Sequence, residues 1–173
     1  MKSNLIFSVL LTVGLISCTS EKAVDFKKEI TAQEQIVFNA LINKEGYETE
    51  KSLSIIKRDY DRALSFINKE EQLFDSVIKH LSILSDDHIK EGAPVKTAAI
   101  SYYKAMKDLF LLDRQSIQQQ KITFSKDIRK VDKAQDSILQ ISRKKLEFHK
   151  IVEARNMDLQ KALEKFDQAN NIK

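Results

Sequence analysis

From Leu53 onward, apolar residues return every seven positions: Leu53, Tyr60, Ile67, Phe74 and Leu81, flanked by Ile56, Leu64, Val77, Ile78 and Leu84. Seven residues make almost two α-helical turns, so this column stays on one side of a helix, and it predicts a single stave over roughly residues 49–84. A second column keeps the same spacing through Tyr103, Phe110, Ile117, Phe124, Val131, Ile138, Lys145, Val152, Leu159 and Phe166, with Lys145 as its one exception. An unbroken helix of over seventy residues from Val95 onward would be about 110 Å long and would leave its far apolar stripe in water. The companion positions near its middle are polar (Asp113, Arg114, Gln120, Lys121, Asp127), so a turn is expected at 121–126. Upstream, Thr31-Ala32-Gln33-Glu34 has the spacing of a capping box and predicts a helix start there or nearer Asp25, with Gly46 as its stop. Ser85-Asp86-Asp87 and Glu91-Gly92-Ala93-Pro94 mark a reversal, with Pro94 tolerated in the first turn of the next helix. The expected fold is all-α, an elongated antiparallel bundle of about four helices. A long coiled-coil hairpin or dimer is the alternative, and a monomer is the expected state of the bundle.

Composition supports helices. Three glycines and one proline are too few for a chain of tight hairpins, and 42% hydrophobic with 31% charged residues is the balance of a folded domain. There are 29 basic and 25 acidic residues, a net charge of +4. No basic cluster exceeds a solvated helix face, so nucleic acid is not an expected partner. The single cysteine, Cys18, excludes an intramolecular disulfide.

Cys18 closes a distinctive segment. Met1 and Lys2 lead into an apolar run through Leu5, Ile6, Phe7, Val9, Leu10, Leu11 and Val13, the form of a secretory signal and too short to span a bilayer stably. The final Leu15-Ile16-Ser17-Cys18 resembles the lipobox of bacterial lipoproteins, over the first 18 residues only. The resemblance implies diacylglyceryl attachment to the Cys18 thiol, cleavage after Ser17, and retention on a membrane by two or three acyl chains. Thr19 in place of an aspartate implies sorting to the outer membrane, facing the periplasm, with surface display as the alternative. Loss of Lys2 with the signal would leave a net charge of +3. The expected organisation is a signal peptide at 1–17, a lipidated cysteine and polar tether at 18–28, and a helical domain at 29–173.

Candidate chemistry in the body is sparse. Gln135, Ser142, His149 and Asn156 line one edge of the second column, either as a polar groove for a ligand or as a boundary facing water, and the second reading is preferred. His149 and Glu153 share a helix face at metal-ligand spacing, but two ligands are too few, and no histidine has a glutamate three residues before it. Asp86-Asp87-His88 suits a turn as well as it suits a cation. Met106, Met157 and His149 could ligate haem, but Cys-x-x-Cys-His is absent. There is no Gly-x-Ser-x-Gly elbow and no glycine-rich phosphate loop. The expectation is a non-enzymatic envelope lipoprotein without cofactor, a structural or protein-interaction module. The alternative is a lipoprotein holding a small molecule, haem or metal near His149.

Overall fold

The structure is a computed structural model describing residues 21–172; the expected signal peptide, Cys18 and the residues just after it lie outside the described residues, as does Lys173. The described chain is an all-α helical bundle made of α1 (Glu21–Ile42), α2 (Tyr47–Ile56), α3 (Tyr60–Ile83), α4 (Gly92–Ile122) and α5 (Ile128–Asn170). α1 and α2 follow one another along one stave, α3 returns, and α4 and α5 form the last antiparallel pair. At 43 residues, α5 is about 64 Å long.

The stave expected over 49–84 is a helical hairpin. Arg58 takes the left-handed conformation at φ 59, and the Asp59 carboxylate caps α3 by accepting from the Arg62 amide at 3.1 Å. The reversal turns α2 so that Lys51 and Ser54 face inward, which leaves Leu53 and Ile56 of the expected column exposed. Gly46 joins α1 to α2 without reversing the chain. A Cβ there would lie 2.4 Å from the Leu41 carbonyl oxygen, so the close approach demands glycine. Thr31 and Glu34 lie inside α1, not at its start. Residues 21–28, expected as tether, form its first two turns because Ala23, Phe26 and Ile30 share a buried face. The turn expected at 121–126 falls at 123–127, where the Asp127 carboxylate accepts from the Arg129 amide.

Two apolar clusters fill the bundle. The larger gathers Phe26, Ile30, Phe74, Leu81, Val95 and Phe166 with their neighbours from α1, α3, α4 and α5, and Phe26 stacks on Phe166 at 5.5 Å. The smaller centres on Ala63, Ile67 and Ile117, towards the end where the 57–59 and 123–127 turns meet. Opposite that end, Lys96 donates to the Leu84 carbonyl and to Asp86, fixing the 84–91 connection.

Candidate functional site

Between the two clusters the bundle buries charge. Glu70 lies on α3 between Ile67 and Phe74, where the three-four alternation of buried positions calls for an apolar residue, and its side chain is 0% exposed. Lys51 of α2, 2% exposed, reaches it across the hairpin. The Lys51 ammonium lies 3.1 Å from Glu70 Oε1, 2.9 Å from Asp113 Oδ2 of α4, and in contact with Glu48 one turn earlier on α2. Asp113 in turn accepts from Lys145 of α5. One network thus ties four helices together, with the Phe110 ring 5.1 Å from the Lys51 nitrogen.

Its electrostatics follow from the count of charges. Two lysines face three carboxyl groups, so the cluster is neutral only when one carboxyl holds a proton. Glu70 is that group: it is the most deeply buried, its Oε2 accepts from Lys51 at 3.3 Å, and its Oε1 has no aligned hydrogen bond. Burial drives its pKa up to about 8, against the pull of Lys51 and with the push of neighbouring Glu48. Burial also raises the Asp113 pKa, but Lys51 and Lys145 outweigh it and hold that carboxyl below the usual range. At Lys51 burial acts against the charge, and the surrounding carboxylates overcome it and raise the pKa. Chemically, the cluster stores one proton near neutral pH. Its Asp113, Lys145 and Glu48 edge is part-exposed, while Lys51 and Glu70 are closed to solutes.

The sequence-derived candidates sit elsewhere. Gln135, Ser142, His149 and Asn156 are all exposed on α5, with the Ser142 hydroxyl donating to the Ile138 carbonyl, so this column faces water. Glu153 is exposed beside His149. Asp86 engages Lys96, whose hydrogen bond holds the Asp86 pKa low. An open cleft lined by Asp25, Phe26, Glu29, Leu84, Asp87 and His88 adjoins that loop. Among the described residues, no three His, Cys, Asp or Glu side chains are grouped as metal ligands. Sequence reasoning missed Lys51 and Glu70; the available signal was Glu70 itself, one charged residue in the series Ala63, Ile67, Glu70, Phe74, Val77, Leu81.

The exposed side of α5 is the other distinctive surface. Its buried residues, Ala134, Leu159, Phe166 and Asn170, face one way. Ile128, Leu139, Leu146 and Met157 are all exposed and are separated by intervals of 11, 7 and 11 residues. Both intervals complete nearly whole numbers of turns, so the four lie on a single stripe about 44 Å long on the side turned away from the core. No family model, curated protein or solved structure matches this chain.

Proposed function

We propose that the protein is a cell-envelope lipoprotein held on a membrane by lipid on Cys18, whose helical body is a non-enzymatic module for binding another envelope protein. The anchor half of this reading rests on the apolar run that ends in Leu15-Ile16-Ser17-Cys18, with the outer membrane, facing the periplasm, as the expected site. No helix among the described residues is long and apolar enough to cross a membrane.

The observation that carries the interaction half is the α5 stripe. Aligned exposed apolar side chains on a long helix suit docking of an amphipathic partner through i, i+3 and i+4 anchors. The alternative, a ligand held near His149, lacks a comparable feature, because that column is open to water.

Metabolic labelling with palmitate tests the anchor: the wild-type chain takes up label and sediments with membranes, and Cys18→Ser abolishes both. Photocrosslinking side chains placed at Leu139 and Leu146 test the stripe, and a discrete adduct is expected at both. Label retained in Cys18→Ser removes the anchor. Crosslinking no stronger at the stripe than at exposed Gln118 removes the docking role.

A further inference from the structure

The end of the bundle where the 57–59 and 123–127 turns meet combines apolar projection with a local excess of positive charge. Ile56 and Ile128 are each 75% exposed and Phe124 is 55% exposed. The Arg58 guanidinium lies 4.5 Å over the Phe124 ring, the Tyr60 ring is 6.1 Å from Phe124, and Lys121 meets Asp61 at 2.8 Å, so the two turns form one surface. Lys57, Arg58, Lys121, Lys126, Arg129 and Lys130, all exposed, lie in or beside the two turns, against three acids. Each acid is engaged: Asp59 and Asp127 cap helices, and Asp61 pairs with Lys121. The resulting local excess is +3.

We infer that this end docks on an anionic phospholipid bilayer, as a contact separate from lipid at Cys18. The partner chemistry follows from the pairing of features. Lysine and arginine stems extend past apolar side chains that enter the acyl boundary while their charged ends meet phosphates, and each cation adds attraction to an anionic surface. A phosphate polymer would satisfy the cations and leave Ile56 and Ile128 in water. A flat partner also suits turn tips, which present no groove. Along α5, Ile128 stands about 57 Å from Phe166, which packs against the first turns of α1. A chain anchored through Cys18 would therefore hold this surface far from its own attachment point, positioned to meet a second stretch of membrane.

The test uses a chain from Thr19, which contains both apolar clusters and the complete charge network. It is sedimented with vesicles of phosphatidylglycerol and phosphatidylcholine, or of phosphatidylcholine alone. Binding is expected only to the anionic vesicles and is lost in high salt. Lys126→Ala with Lys130→Ala weakens it by about tenfold or more, and Ile56→Ser with Ile128→Ser does the same while helicity is unchanged. Leu139→Ser with Leu146→Ser leaves vesicle binding intact, which separates this surface from the middle of the protein-docking stripe, Ile128 being common to both. Equal binding to neutral vesicles, or none to either, overturns the inference. So does binding to polyphosphate that survives the isoleucine changes together with vesicle binding indifferent to them, since a general anion site would then account for the cations.

Discussion

Replacing Glu70 by glutamine tests the proton that keeps the buried cluster neutral. Glu70 moves from an ordinary pKa of 4.5 to about 8 on folding. Between those values the folded chain holds a proton that the unfolded chain has released, so the unfolding free energy falls as pH rises. Each unit corresponds to about 1.4 kcal/mol, and the whole window to a loss on the order of 5 kcal/mol, present in full below pH 4.5 and gone above 8. Glutamine matches the shape of the neutral acid and has no proton to lose. Glu70→Gln is therefore expected to match the wild type near pH 5 and to exceed it by a few kcal/mol near pH 8. Urea unfolding followed by far-ultraviolet circular dichroism, at intervals across that range, gives the difference between the two proteins and cancels the titrations they share. A difference that stays constant with pH, or a wild type that gains on the variant as pH rises, would show that Glu70 is ionised and refute the neutrality argument. Lys51→Met provides the complement. It removes the shared cation and should cost about 3–5 kcal/mol, most severely at the alkaline end where Glu70 ionises.

Three smaller perturbations address the frame. Asp59→Ala removes the α3 cap and should lower stability by about 1 kcal/mol, measured as a shift in urea midpoint at constant slope. Gly46→Ala places a methyl against the Leu41 carbonyl and should cost about 1–3 kcal/mol, with the thermal midpoint as readout. His149→Ala, on the water-facing side of α5, should stay within about 0.5 kcal/mol of wild type; a larger loss would give that histidine a structural role its exposure does not suggest.

The second seven-residue column was legible in part: five of its members are half-buried and Phe124, in the turn, is 55% exposed. Tyr103, Ile117, Leu159 and Phe166 are buried, and the one exception, Lys145, is turned towards Asp113. Periodicity works within α4 and within α5 because each is long and regular, and it lapses at Phe124 in the turn between them. The first column held over α3, where Ile67, Phe74 and Leu81 are buried, and failed over 49–59 because a three-residue reversal resets the phase, and Lys57-Arg58-Asp59 contains neither glycine nor proline to announce it. The left-handed turn falls on an arginine, whose placement over Phe124 depends on a contact between turns more than sixty residues apart in sequence. The buried cluster was hidden for a related reason. Lys51, Glu48 and Asp113 look solvated in a linear reading, Glu70 and Lys145 stand out only as lone charges in apolar series, and packing of four helices is what makes them partners. The α5 stripe could have been read from its spacing, but its exposure depends on which face α4 covers.

The stacking of Phe26 on Phe166, reinforced by Lys27 with Asp167, joins residues 140 apart in sequence. The α2–α3 and α4–α5 hairpins need only short turns and can form while the chain is still open. The Phe26–Phe166 seam can form only after the last turns of α5 have arrived, because closing so long a loop costs entropy that local contacts do not repay. The topology favours an order of assembly in which the two hairpins form first and the seam between the first and last helices afterwards. Substitutions at Phe26 or Phe166 should accelerate unfolding far more than they slow folding.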